Sequence, residues 1–174
     1  MKIRIIGACG SGKSYIAKEL SKKYEIKYYE TDNFVWDRTL ENTRYPVEVR
    51  DAKLNEIVTT EAWIIEGIHH KWGIESFKQA DLMFLIKSNK YVRDFRIIKR
   101  FVRTRVGLEQ WNYKQSFKNL YEMLFIWNKG FDKDSIQEIM ELTEEYSEKR
   151  IIVKDNKEIM KYIQDYLNAN SGRQ

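Results

Sequence analysis

The chain has 174 residues, 43% hydrophobic and 33% charged, which is enough for one substantial core beneath a well-solvated surface, so the length predicts a single domain over residues 1–174. A single cysteine excludes an intramolecular disulfide framework and suits a reducing compartment, and no apolar run is long enough to read as a membrane span. The 31 Lys and Arg against 26 Asp and Glu leave a net charge of +5, which suits anionic partners, whether nucleotide phosphates or a nucleic-acid backbone.

The first predicted strand is the apolar run Ile3 to Ile6. It feeds Gly7-Ala8-Cys9-Gly10-Ser11-Gly12-Lys13-Ser14, which fits G-x-x-x-x-G-K-[ST], and a helical run follows at Tyr15 to Leu20. Strand, glycine loop and helix in that order predict a phosphate-binding P-loop. The glycines let backbone N–H groups turn inward around an anion, and the helix starting near Lys13 adds the positive end of its dipole. The phosphate-binding set is Gly7, Gly10, Ser11, Gly12, Lys13, Ser14 and Tyr15. Lys13 would reach the β- and γ-phosphates of ATP, and the Ser14 hydroxyl would ligate the accompanying Mg²⁺. A dinucleotide site needs G-x-G-x-x-G, and Tyr15 stands three residues after Gly12, so hydride chemistry is disfavoured. Cys9 lies inside the loop, where N–H dipoles would lower its pKa if it were reactive; a small residue filling a variable position is the plainer reading.

A second strand is predicted over Tyr24 to Glu30, ending at Thr31-Asp32-Asn33. Asp32 would then stand past a strand's carboxyl end, where open α/β sheets bind ligands, to orient a phosphoryl acceptor or a Mg²⁺ water; capping or turn-making is the alternative. Phe34, Trp36 and Asp37 either line an acceptor pocket or fold back on the core. Pro46 starts a predicted helix over Val47 to Thr60, with Arg44 and Arg50 near its beginning as candidate anion holders. Ala62-Trp63-Ile64-Ile65-Glu66-Gly67 predicts a buried parallel strand that delivers the Glu66 carboxylate to the sheet edge, to hold a Mg²⁺ water or take the acceptor proton. The neighbouring His69 and His70 lack further ligands to complete a metal site.

Asp81 to Ile86 predicts a fourth strand. From Asn89 the pattern turns helical, with Tyr91, Phe95, Ile98 and Val102 on an apolar face and Arg93, Arg96, Arg100 and Arg103 opposite. That arginine stripe would clamp phosphates, track a nucleic-acid backbone or simply meet solvent. Lys114 to Lys129 predicts another helix, its Phe117, Leu120, Tyr121, Leu124 and Trp127 facing the core. A helix over Ser135 to Ser147, a fifth strand over Arg150 to Lys154, a helix over Glu158 to Leu167 and a mobile tail from Asn168 complete the chain. Alternating strands and helices predict an α/β fold, a three-layer αβα sandwich on a parallel five-stranded sheet.

Taken together, the P-loop, the Asp32 turn, the Trp63 to Gly67 strand and the Arg96-x-x-x-Arg100 helix resemble the adenylate-kinase-like small P-loop kinases, and among them the proteins labelled DNA topology modulation protein. The resemblance implies that Arg96 and Arg100 reach the transferring phosphate, that a helical lid lies around residues 89–130, and that Lys154 to Asn156 contacts adenine. It implies a kinase using ATP and Mg²⁺, with Lys13, Asp32, Glu66, Arg96 and Arg100 as catalytic residues, or else a nucleotide-regulated DNA-binding protein affecting topology. The segment Glu66-Gly67-Ile68-His69-His70 stands where adenylate kinases carry Asp-Gly-Phe-Pro-Arg, which sets AMP apart as an acceptor. The expected partners are a nucleoside triphosphate and a small acceptor such as a nucleoside or nucleotide, and the expected location is the cytoplasm, since the first strand begins at residue 3 with no leader before it.

Overall fold

The strands form one parallel sheet in the order β2-β3-β1-β4-β5, from β1 (Lys2–Gly7), β2 (Tyr28–Glu30), β3 (Trp63–Glu66), β4 (Leu82–Ile86) and β5 (Arg150–Val153). The computed structural model describes residues 1–37, 43–108 and 116–171. β1, β3 and β4 are buried along nearly their whole length because both faces of the sheet are covered. Alternation sends Ile3, Ile5, Ile64 and Phe84 to one face, against Ile16 and Leu20 of α1 (Lys13–Tyr24) and Ile159 and Ile163 of α9 (Lys157–Ser171). Ile6, Trp63, Ile65 and Met83 go to the other. There they meet Phe34 of α2 (Asp32–Val35), Leu54 and Val58 of α3 (Val47–Val58) and Phe77 of α4 (Ile74–Gln79). The result is the three-layer αβα sandwich that the alternating pattern predicts. No described helix is long and apolar enough to cross a membrane.

Several local expectations change. The strand expected from Tyr24 begins only at Tyr28, because α1 runs through Tyr24 and closes on Glu25 in a left-handed conformation at φ 57°. Asp32 starts a short helix rather than occupying a turn. The helix expected over Ser135 to Ser147 divides into α8 (Ile136–Leu142) and a 3₁₀ segment, Glu144–Lys149, and the tail expected from Asn168 stays helical through Ser171.

The largest reversal concerns α5 (Lys90–Arg105). Periodicity puts Tyr91, Phe95, Ile98 and Val102 inside, yet all four are exposed, and Arg93, Ile97 and Phe101 face inward instead. Arg93 is 1% exposed and Phe95 66%. The reason lies beneath the helix, where α5 crosses the polar main chain of the glycine loop rather than an apolar sheet face. There Arg93 forks onto the Asp132 carboxylate (Nη1 to Oδ1 2.8 Å), and Arg96 donates toward the carbonyls of Gly10 and Ser11 at 3.5 and 3.3 Å.

From Phe117 the chain stays helical to Leu142, as α6 (Phe117–Tyr121), a π-helical stretch Glu122–Trp127, α7 (Asn128–Gly130), a second π-helical stretch Phe131–Ser135, and α8. Of its expected core residues, Leu120 and Leu124 are partly buried, while Phe117, Tyr121 and Trp127 are exposed. The buried positions are Met123, Asn128, Phe131 and Ile139, since each π-helical stretch shifts the phase that a steady α-helical period predicts. Within the lid expected over residues 89–130, residues 109–115 lie outside the described residues, as do Lys114 and Gln115 of the helix expected there.

Candidate active site

β1 ends in the glycine loop, and the loop ends in α1, whose first turn carries no acidic side chain to oppose a bound anion. Gly10 and Gly12 take φ values of 76° and 87°, a region that costs any other residue strain. Neither could carry a Cβ: one on Gly10 would stand 2.6 Å from the Arg93 carbonyl oxygen, and one on Gly12 2.9 Å from the Asn156 amide. Gly7 likewise leaves room for Ser11, whose buried Oγ has no partner among the described residues. Tyr15 is exposed at the start of the helix.

Lys13 lies in the loop with its Nζ 3.5 Å from the Ala8 carbonyl. Burial pulls its pKa down, but Glu66, Cys9 and Asp32 outweigh that, so the ammonium is held above its ordinary value. Ser14 Oγ donates to Glu66 Oε1 at 2.6 Å, and Glu66 Oε2 is buried without a partner among the described residues. Burial raises the Glu66 carboxyl above the ordinary carboxylate range, against the downward pull of Lys13 and of the Ser14 hydrogen bond. For Cys9, burial raises its pKa, ahead of the lowering effect of Lys13 and Arg100, which agrees with the plainer reading of a small residue filling the loop.

The carboxyl ends of β2 and β3 converge here. Thr31 N–H donates to the Glu66 carbonyl at 2.8 Å, which places Asp32 beside Glu66. Asp32 Oδ1 is 3.1 Å from His69 Nε2. The His69 ring lies 5.4 Å from that of Trp72, and the Arg50 guanidinium stacks 4.5 Å over Trp72 while its Nε donates to Asp51. Arg44 stacks over Trp36 in the same way. Asp32, His69, Trp72, Arg50 and Asp51 thus form a chain of contacts leading away from the strand end.

Arg4, a residue the sequence reading passed over, underlies this arrangement. It is buried in β1 over the Phe77 ring and donates to the carbonyls of Ile5, Ile65, Gly67 and His69 at 2.9, 3.2, 3.5 and 2.8 Å. Burial lowers its pKa to about 10, with Glu66 acting the other way, so it remains a cation at neutral pH. Its guanidinium therefore fixes the main chain on both sides of Glu66.

Arg96 and Arg100 do not share one position. Arg96 meets the loop carbonyls and also lines a cavity of about 580 Å³ with Lys87, Ser88, Asn89, Lys154 and Asp155. Arg100 lies close enough to Lys13 and Cys9 for its charge to lower both pKa values, and its Nη2 contacts Met123 Sδ at 3.4 Å. Two amides hold the loop from outside: Asn128, missing from the sequence reading, donates to the Cys9 carbonyl at 3.2 Å, and Asn156, in the segment expected to contact adenine, donates to that of Gly12 at 3.4 Å. Asn128 sits between the two π-helical stretches, and no α-helical period marks it.

No family model matches the chain. The uncharacterized protein YqaC of Bacillus subtilis (strain 168) is 30% identical over 84 residues, 48% of this chain and 47% of that relative, so the match spans about half of either. Among solved structures, deoxyadenosine kinase from M. mycoides with bound dATP superimposes with a TM-score of 0.55 at 19% identity, over 97% of this chain and 100% of that one. Shikimate kinase from Bacteroides thetaiotaomicron gives a TM-score of 0.55 at 14% identity, over 97% and 98%. The chain therefore has the fold of the small P-loop kinases.

Proposed function

We propose that the protein is a Mg²⁺-dependent kinase that transfers the γ-phosphoryl group of ATP to a hydroxyl on a small acceptor, a nucleoside or nucleotide being the first class to test. The observation that carries this reading is the Ser14–Glu66 contact beside Lys13, with the second Glu66 oxygen left over. These residues fit a magnesium ion: Ser14 Oγ and Glu66 would hold it or its waters, and bound there it would neutralise phosphate charge. Lys13 and the loop N–H groups bind the phosphates. The cavity beside Arg96 and Lys154 would take the base. Asp32 accepts the proton of the acceptor hydroxyl while that oxygen bonds to the γ-phosphorus and the bond to the bridging oxygen of ADP breaks. His69 holds Asp32 in place, and Arg100 meets charge on the transferring group.

The alternative, nucleotide-regulated DNA binding, requires the arginines of α5 to face outward as part of a broad basic surface. Arg93 is buried on Asp132 and Arg96 turns to the glycine loop, which favours the kinase. The names of two solved relatives, deoxyadenosine kinase and shikimate kinase, support the same reaction class. Screening nucleosides, nucleotides and small hydroxylated metabolites for ADP formation with ATP and Mg²⁺ tests it, with Lys13→Ala as the blank. ADP formation that no acceptor stimulates and that persists in Lys13→Ala would reject it.

A further inference from the structure

We propose that His70 and Glu138 form a positioning pair that holds His69, and through it Asp32, in place beside the glycine loop, a role that rests on the proposed kinase function. The β3–α4 loop, residues 67–73, leaves the sheet at Glu66 and carries two histidines in succession. Consecutive side chains of extended chain point to opposite sides. His69 accordingly meets Asp32 at 3.1 Å, while His70 turns the other way and meets the Glu138 carboxylate of α8, Nε2 to Oε2 2.7 Å. His70 is 6% exposed, and its Nδ1 stands 3.2 Å from the Ile68 carbonyl. Both partners only accept, which sets a proton on Nε2 and suits one on Nδ1 as well. Hydrogen bonds from His70 and then from Lys71, whose Nζ lies 3.1 Å from Oε1, hold the Glu138 carboxyl below the ordinary carboxylate range. Lys71 is exposed and its ion pair adds little, so the buried His70 contact is the one that fixes geometry.

The same helical segment reaches the phosphate side. Between Phe117 and Leu142 it meets the Cys9 carbonyl through Asn128, Arg93 through Asp132 and Arg100 through Met123. Glu138 extends that grip to the loop beside Asp32, so one helical element touches both halves of the crevice. Arg4 holds the His69 carbonyl from beneath at 2.8 Å, and the His70–Glu138 contact holds the next residue from the α8 side. Tied from two directions, His69 keeps a fixed distance to Asp32, and Asp32 a fixed place relative to the phosphates. In-line transfer depends on such placement, since a displacement of about 1 Å can cost about 10²-fold in rate. Ile68 and Trp72 of the loop pack on the same core as Ile136 and Met140 of α8, so apolar burial keeps loop and helix together without the pair. What the pair adds is register.

The test is ADP formation from ATP and Mg²⁺ with an equimolar mixture of the common nucleosides and their monophosphates as acceptor, run beside chemical denaturation of the same variants. Glu138→Ala and His70→Phe should each lower turnover at saturating ATP by about 10- to 100-fold with KM for ATP nearly unchanged. Glu138 is 38% exposed on its side chain, so its replacement leaves the core intact. His70→Gln, which keeps an N–H where Nε2 stands, should recover part of the loss. Replacing both residues should cost no more than replacing one, in turnover and in denaturation midpoint alike. In an Asp32→Asn chain, Glu138→Ala should add no further loss, because the pair acts through Asp32. A folded Glu138→Ala chain with wild-type turnover overturns the proposal and leaves the kinase function standing. So do losses or midpoint shifts that simply add, or a Glu138→Ala loss that persists undiminished in the Asp32→Asn chain. A wild-type chain whose ADP formation no acceptor stimulates overturns both.

Discussion

Ser14 Oγ donates a 2.6 Å hydrogen bond to Glu66 Oε1, joining the first turn of α1 to the carboxyl end of β3 across 52 residues of sequence. The contact exists because β3 lies next to β1 in the sheet, so both strand ends open on one crevice. It brings a hydroxyl, a carboxylate and the Lys13 ammonium together where a nucleotide's phosphates would lie.

Glu66→Gln should lower turnover by about 10²- to 10⁴-fold while leaving nucleotide binding largely intact. Its effect on stability has the opposite sign. Burial raises the folded pKa of Glu66, so the stability that protonation contributes is present below the ordinary value of 4.5 and is lost as pH rises through the folded value. At neutral pH the charged form is a cost that the amide removes. Thermal melts at pH 7 should give a Tm equal to or above wild type, and wild-type turnover should begin to fall, on acidification, above the ordinary carboxylate range. A lower Tm with full turnover would move Glu66 from the reaction to the core.

Lys13→Ala should stay folded and lose at least about 10²-fold in turnover, the cost of removing one preorganised charge from the transition state. Because Lys13 lowers the pKa of Glu66, its loss also moves the acid limb of any residual activity to higher pH. Steady-state rates across pH measure both effects. Unchanged transfer in a folded variant would place the phosphates elsewhere.

The glycine loop and most of the sheet are legible in the sequence because each depends on local chemistry: three glycines at fixed spacing, and short apolar runs at Ile3 to Ile6, Trp63 to Ile65, Leu82 to Ile86 and Ile151 to Val153. Glu66 is legible for the same reason. What local pattern does not carry is the surface that each element meets. Helix α5 has a clear apolar stripe, yet it packs by Arg93 and Ile97, since the loop beneath it offers carbonyls and Asp132 lies beyond. His69 reads as half of an incomplete metal pair until β2 and β3 bring Asp32 within 3.1 Å. Asn128 is hidden by the π-helical stretches on either side. Arg4 had a visible signal, a charge inside the run Ile3 to Ile6, and a buried parallel strand tolerates such a charge only where main-chain acceptors await it.

Arg4→Met should destabilise the fold by about 2–4 kcal/mol, since Ile65, Gly67 and His69 carbonyls lose a donor where water cannot replace it. Because those carbonyls flank Glu66 and lead to His69, turnover should fall even at temperatures where the variant is fully folded. Arg4→Lys keeps the charge but reaches fewer carbonyls and should restore only part of the loss. Chemical denaturation and kinetics on the same preparations separate the effects, and a stable Arg4→Met protein with wild-type turnover would reduce Arg4 to packing.

Arg96 and Arg100 stand one helical turn apart and should fail in different ways. Arg96 touches the Gly10 and Ser11 carbonyls and walls the cavity shared with Lys154 and Asp155, so its contacts are available to a bound nucleotide before and during transfer alike. Removing an interaction that ground state and transition state share raises KM and leaves kcat nearly unchanged. Arg96→Ala is therefore expected to weaken ATP binding by about tenfold, equivalent to about 1.4 kcal/mol, with turnover at saturation near wild type. Arg100 lies toward Lys13 and Cys9, where charge would develop on the moving phosphoryl group under the proposed function. Arg100→Ala should lower kcat by about 10²- to 10³-fold with little change in ATP affinity, and Arg100→Lys should recover only part, because a point charge lacks the planar fork that grips two oxygens. Titration calorimetry for ATP and steady-state rates at saturating acceptor measure the two quantities separately. Matching losses in both variants would merge the two roles, and equal turnover in wild type and Arg100→Ala would remove Arg100 from the reaction.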